Sequence, residues 1–210
     1  MKKLLIAMAF AVVGNVNAQV SFKPGVKAGY SASKITGYGG DYRSNFYIGG
    51  YGLLNLSRVY SMQFEVMYLR QGVNNVNAVN NYDYNYYPQG MGQTDIPLDY
   101  LSLNFINKFS FDNFSLHVGP GLDIKVSEEE IGSYAVGGGG VYYANPVYGI
   151  NSDIDLTFNI GLGYRINDNL GVEARMRQGL IEPVYLNSYT YSSHNNVNRS
   201  FMVGLTYTFK

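Results

Sequence analysis

From Asp153 to Leu180 the chain reads DIDLTFNIGLGYRINDNLGVEARMRQGL, a stretch that leaves few folds open. Ile154, Leu156, Phe158, Ile160, Leu162 and Tyr164 fall on alternate positions, with Asp155, Thr157, Asn159, Gly161, Gly163 and Arg165 between them. A period of two belongs to a strand with one apolar face and one polar or small face. Asn167, Asp168 and Asn169 tolerate the backbone of a tight turn, and a second alternating run starts at Leu170, so the pair predicts a hairpin. The second strand sets Glu173, Arg175 and Arg177 against Val172, Ala174 and Met176. A soluble sheet satisfies this pattern by placing its charges in water. A membrane barrel satisfies it inversely, with the apolar face in lipid and the charges in a narrow lumen.

Length and leader narrow the setting. The chain has 210 residues, enough for one domain. Lys2 and Lys3, the apolar run from Leu4 to Val13, and Val16-Asn17-Ala18 before Gln19 have the form of an export signal spanning residues 1–18, which leaves 19–210 as the barrel domain. The apolar run is too short for a spanning helix, and no later segment suits one. The sequence has no cysteine, which removes lipoprotein anchors, disulfides and thiolate metal sites. Without the leader, 13 basic residues face 15 acidic ones, a balance that does not favour nucleic acid or an anionic membrane surface. The 21 tyrosines and 11 phenylalanines suit strands and the two water–lipid boundaries of a barrel.

Taken in order, alternation predicts strands over Phe22 to Lys34, Phe46 to Leu56, around Met62 to Leu69, Leu98 to Phe111, Phe114 to Val126, the hairpin pair above, and Val197 to Phe209. Gly49, Gly50 and Gly52 blur the second strand so that its faces cannot be assigned. Long loops are expected at Val73 to Pro97, Ser127 to Ser152 and Glu182 to Asn196. Short turns follow the second, fourth and sixth strands, and longer connections follow the first, third, fifth and seventh. Such an alternation describes an eight-stranded antiparallel up-and-down β-barrel. Placed in an outer membrane, it has short periplasmic turns, long extracellular loops and both termini in the periplasm.

The polar faces carry Lys27, Glu65, Lys108, Asp123, Lys125, Asp155, Arg165, Glu173, Arg175 and Arg177, with both signs on neighbouring strands. A narrow eight-stranded lumen has no room for a water column and is filled by paired charges and hydrogen bonds. The apolar faces of strands three to eight are almost free of charge, as a lipid face requires when a midplane charge costs roughly 2–4 kcal/mol. A soluble periplasmic lipocalin-like carrier would also alternate, with the faces reversed.

YLSLNFINKFSF, LHVGPGLDIK, the hairpin sequence and RSFMVGLTYTF together resemble the PorT-type outer-membrane beta-barrel family, most closely from Tyr100 onward. The Gly-Pro-Gly of strand five, Gly161-Leu162-Gly163-Tyr164-Arg165, and Ala174-Arg175 followed by Gly179-Leu180 occur in the family's order. Met176 stands where the family usually has tyrosine, and Lys210 follows Phe209 where members commonly end on an aromatic. The resemblance implies an eight-stranded outer-membrane barrel, inserted by the barrel-assembly machinery through a C-terminal strand like Phe201, Val203, Leu205, Tyr207 and Phe209. It implies no single activity, since some members serve secretion or gliding.

Candidate sites are few. Ser115, His117 and Asp123 share the polar face of strand five, but positions i, i+2 and i+8 on one strand are too spread for a hydrolytic triad, and lumen filling is the expectation. Glu128-Glu129-Glu130 lacks calcium-loop spacing, and Gly137 to Gly140 lacks the Lys-Ser/Thr of a phosphate loop. His194 has no recurring partner. No metal or other cofactor is expected. Arg165, Glu173, Arg175 and Arg177 read as a salt-bridged plug in preference to a conduit. Tyr38, Tyr42, Tyr82, Tyr84, Tyr86, Tyr87, Tyr142, Tyr143, Tyr189 and Tyr191, set among Asn and Ser, suit recognition of protein or glycan surfaces or an outer aromatic girdle. The expected function is non-enzymatic: a plugged barrel in contact with outer-membrane lipid and lipopolysaccharide, whose loops serve adhesion, partner docking or envelope integrity. A secretion or transport accessory is the alternative.

Overall fold

A computed structural model describes residues 20–37, 39–79, 91–127, 134–137, 140–143, 148–186 and 196–209. Within them lie β1 (Ser21–Ile35), β2 (Asp41–Asn55), β3 (Tyr60–Val79), β4 (Met91–Phe111), β5 (Phe114–Ser127), β6 (Tyr134–Gly137), β7 (Gly140–Tyr143), β8 (Tyr148–Ile150), β9 (Ile154–Arg165), β10 (Leu170–Gly179), β11 (Val184–Leu186) and β12 (Asn198–Thr208). Eight of these close a barrel in the order β1-β12-β10-β9-β5-β4-β3-β2. Every neighbouring pair is antiparallel, and β1 meets β12 from Gly25 opposite Thr208 to Ile35 opposite Asn198. The leader expected at residues 1–18 lies outside the described residues.

The face that points outward decides what solvent the barrel is built for. Phe158, Leu162, Val203 and Leu205 are 47%, 64%, 60% and 55% exposed, while Glu173 and Arg175 on the opposite face are 4% and 3% exposed. β9 alternates exposed and buried positions from Ile154 to Tyr164, as its sequence period predicts. A contiguous apolar surface of this extent is unstable in water and stable against hydrocarbon. The soluble carrier, which needs the same side chains inside, is excluded by this inversion. Near the short turns the outer surface carries aromatic pairs, with ring centroids 4.9 Å apart for Phe114 and Tyr164 and 5.4 Å for Tyr207 and Phe209. Rings of this kind suit the boundary between lipid and water.

Three expectations are corrected. The predicted loop from Val73 to Pro97 is largely strand: β3 and β4 remain paired through Val76 opposite Thr94 and as far as Val79 opposite Met91. The register shifts between Val73 and Val76, where Asn75 adopts φ 54°. Such a bulge reverses the alternation, and the sequence period is lost there. The loops predicted at Ser127 to Ser152 and Glu182 to Asn196 also contain strands, as β6 pairs with β7 and β8 with β11 in two small sheets. The faces of β2 are now assigned: Tyr47 and Tyr51 point inward, and Phe46 and Ile48 point out.

Small residues set two features of the wall. Gly29 and Gly204 face each other across the β1–β12 closure, and the Tyr47 ring lies over both. A Cβ on Gly29 would come within 2.8 Å of Tyr47 Cε1, and one on Gly204 within 2.9 Å of Tyr47 Cζ. In β5, Pro120 has no N–H to donate, and the ladder to β4 skips from Asn104 opposite Gly121 to Asn107 opposite Val118. At this gap Gly119 packs so closely that a Cβ would stand 2.9 Å from the carbonyl carbon of Phe105.

Candidate functional site: the barrel lumen

The inward positions of β1, β3 and β10 converge on a fully buried cluster of ions. Glu65 accepts hydrogen bonds from Lys27 Nζ at 2.9 Å and from Gln63 Nε2 at 2.7 Å. The Arg175 guanidinium grips the same carboxylate with two nitrogens, Nη1 at 2.6 Å from Oε2 and Nη2 at 2.9 Å from Oε1. Glu173 completes the set by pairing with Lys27 and receiving Arg175 Nη2 at 3.4 Å. Tyr47 OH donates to Glu173 at 3.5 Å. Two cations and two carboxylates therefore balance in a space with almost no water access. Such pairs lose much of their solvation and repay it only through close, multiply hydrogen-bonded geometry.

A second pair ties the far wall. Arg177 on β10 donates through Nη2 to both oxygens of Asp123 on β5, at 2.6 and 2.9 Å, and to Ser102 Oγ on β4 at 3.0 Å and Thr157 Oγ1 on β9 at 3.2 Å. Asn159 Nδ2 reaches Asn104 Oδ1 at 3.2 Å. Four strands are thus cross-linked by one guanidinium.

The remaining charges predicted for this network sit elsewhere. Arg165 is exposed at the short-turn rim, where it donates to the Asp112 carbonyl and the Asn113 side chain, both at 3.2 Å. Its position as the last residue of β9 carries it beyond the ion pairs. Asp155 pairs with no arginine among the described residues; its Oδ1 accepts the backbone N–H groups of Leu180 and Ile181 at 3.1 and 3.0 Å and fixes the exit of β10. Lys125 lies 3.9 Å from Asp153. Lys108, half-buried on β4, makes no ion pair or hydrogen bond among the described residues. Tyr47, Gln63, Ser102 and Thr157 belong to the network and had no place in the sequence-based set. Their inward parity was the available signal.

The lumen is also less polar than predicted. Toward the long-connection end it is filled by Ile35, Met67, Leu69, Val73, Val76, Ile96 and Leu98, each at most 2% exposed, with Val184 of β11 packed into the same cluster. The polar faces of β3 and β4 change character along their length, and the plug has an ionic layer below an apolar one. Burying large aliphatic side chains contributes roughly 1.5–3 kcal/mol each, so this layer stabilises closure of that end.

Of the candidates for chemistry, Ser115 Oγ and His117 Nε2 are 2.9 Å apart, but Asp123 is held by Arg177. The other His117 nitrogen lies 3.8 Å from Glu173, a carboxylate already engaged by Lys27 and Arg175. Among the described residues no group of three or more metal-ligating side chains is placed to hold an ion. Tyr42 stacks with Lys34 at 5.0 Å, and Tyr142 and Tyr143 lie on β7. Glu128 to Glu130, His194, Tyr38, Tyr82, Tyr84, Tyr86, Tyr87, Tyr189 and Tyr191 lie outside the described residues, as does the tip of Gly137 to Gly140.

Residues 14–185 match the outer membrane protein beta-barrel domain family, and the closed barrel with its lipid-directed apolar face is the architecture that such a match requires. The chain belongs to that family. It is an integral β-barrel protein of the outer membrane. Among solved structures it is similar to Neisserial surface protein A, at 16% identity and TM-score 0.46, over 91% of this chain and 100% of that one. It is also similar to Ail, the attachment invasion locus protein of Yersinia pestis, in complex with the heparin analogue sucrose octasulfate, at 13% identity and TM-score 0.49, over 90% and 99%. The outer membrane protein OprG from Pseudomonas aeruginosa gives 9% identity and TM-score 0.49, over 93% and 99%. Likenesses this distant transfer no activity. No curated protein matches the chain in sequence.

Proposed function

We propose that this outer-membrane barrel is a non-enzymatic protein whose lumen is closed and whose work is done by its long-connection rim, in adhesion, partner docking or envelope integrity. The observation that carries this reading is the two-layer plug: the Lys27, Glu65, Glu173 and Arg175 cluster beneath the apolar packing of Met67, Leu69, Ile96 and Leu98. A through-path for solutes would have to separate ion pairs at 2.6–2.9 Å and displace close-packed aliphatic groups. Of the ten charged residues read in the sequence, all but Lys108 are proposed as structural groups that hold the wall together, Arg165 doing so at the rim and Asp155 through backbone amides. The short turns and both termini are assigned to the periplasm, and the strand with Phe201, Val203, Leu205, Tyr207 and Phe209 to recognition by the barrel-assembly machinery. Lipopolysaccharide is the expected neighbour of the outer rim. A PorT-type affiliation, with a role as a secretion accessory, is the second reading and is favoured by the motif order from Tyr100 onward.

The test is a planar-bilayer recording of the refolded protein. Absence of steady conductance is expected, and a large steady conductance overturns the closed-lumen reading. Capture of secretion components by cross-linking in intact cells would favour the accessory role.

A further inference from the structure

Below the ionic layer the lumen opens as a blind cavity of about 370 Å³ at the short-turn rim. Four basic side chains line it: Lys23, Arg58, Lys108 and Arg165. Its carboxylates are Asp112, Asp168 and Glu173. Asp112 and Asp168 are exposed at the turns, where water solvates them, and Glu173 is already held by Lys27 and Arg175. Arg165 spends its hydrogen bonds on neutral oxygens of Asp112 and Asn113, which leaves its charge uncompensated.

Lys108 differs from the other lumenal cations. Lys27, Arg175 and Arg177 each meet a carboxylate at hydrogen-bonding distance, whereas Lys108 has no such partner among the described residues. It stands directly opposite His117 in the β4–β5 register, next to Ser110 opposite Ser115. His117 Nδ1 is buried without a hydrogen-bond partner among the described residues. The cavity therefore gathers an uncompensated ammonium, a guanidinium at the entrance, an imidazole and the hydroxyls of Ser110 and Ser115 around one space. A low-dielectric wall strengthens the attraction of such a group of donors for an anion, and charge-assisted hydrogen bonds are the strong ones.

We propose that this cavity binds an oxyanion, the carboxylate or phosphate group of a ligand entering from the short-turn side, with Lys108 as its principal counter-charge and Arg165 at its entrance. The ligand is held in a dead end, so binding is compatible with a closed lumen and independent of which side of the membrane the short turns face. Gly163 makes room for the Ser115 and His117 side chains at the cavity wall: a Cβ there would come within 2.6 Å of Ser115 Oγ and 2.9 Å of His117 Nε2.

The experiment is titration of the refolded full-length protein in uncharged detergent with inorganic phosphate and with acetate. Chloride holds ionic strength constant, and backbone amide shifts at Ser115, His117 and Gly163 are followed. Saturable shifts are expected, with Lys108→Met weakening the affinity by about tenfold or more and Lys108→Arg restoring part of it. Lys34→Met, at the opposite rim, should leave it unchanged. Gel mobility of the unheated barrel checks that each variant is folded. In nanodiscs, shifts caused by phosphatidylglycerol without added phosphate identify a lipid headgroup as the source, and shifts needing the dissolved anion identify a solute. No saturable shift in the wild type, or equal affinity in the folded Lys108→Met variant, overturns the proposal.

Discussion

Replacing Glu65 by Gln keeps the shape of the side chain but removes one of two negative charges from the buried cluster. Lys27 and Arg175 would then share Glu173 alone, and the cluster would carry a net positive charge at a site where Glu65 is 2% exposed. Three charge-assisted contacts at 2.6–2.9 Å are weakened together. Breaking a buried pair by removing one partner costs about 3–5 kcal/mol, roughly a thousandfold in the folding equilibrium at mid-range. Urea titration of the barrel in lipid vesicles, followed by circular dichroism and by the shift between folded and unfolded gel bands, reads this loss directly. Pairing Glu65→Gln with Lys27→Met restores neutrality and should recover about 1–3 kcal/mol. A single variant within about 1 kcal/mol of the wild type, or a double variant no better than the single, would refute the view that these charges are mutually dependent.

On the lipid face, Val203→Arg should destabilise the barrel by roughly 2–4 kcal/mol and Phe114→Arg, beside the short turn, by about 0–1 kcal/mol, because the cost of a charge depends on depth. Equal losses in the same urea assay would contradict the membrane placement. Gly119→Ala should cost about 1–3 kcal/mol, since its Cβ meets the Phe105 backbone, which cannot rotate away; a neutral effect would show that the gap at Pro120 is looser than described. Ile96→Ala with Leu98→Ala should destabilise by roughly 2–5 kcal/mol per site. It should still give no steady bilayer conductance, because the ionic layer remains, and open-channel currents would assign closure to the apolar layer.

Much of this architecture is legible in residue parity. The runs Ile154 to Tyr164 and Phe201 to Phe209 announce both their strands and their outward faces, because lipid excludes charge from every second position. Parity also brought Lys27, Glu65, Glu173 and Arg175 to one side of the wall. It could not say which of them touch, since that depends on the stagger of strands around the barrel. Arg165 shares the inward parity of Asp155 and lies at the rim only because β9 ends there. The extension of β3 and β4 was hidden by the bulge at Asn75, which shifts the period, and by a composition rich in Asn and Tyr that resembles loop. The apolar layer is illegible in the sequence for a different reason. Met67 and Leu69 fall on the inward face in the sequence, but an expectation of a polar interior gives hydrophobic groups there no role.

The closure between β1 and β12 joins residues such as Gly25 and Thr208, which are separated by nearly the whole chain. Contacts so distant in sequence form late, after the entropy of an almost complete loop has been lost. Until that seam zips, the nascent cylinder presents two raw edges, each able to pair with the wrong strand. Assembly of this barrel is therefore most exposed to error at its final step, and a defect at the Gly29, Gly204 and Tyr47 junction should slow maturation even where the finished product endures.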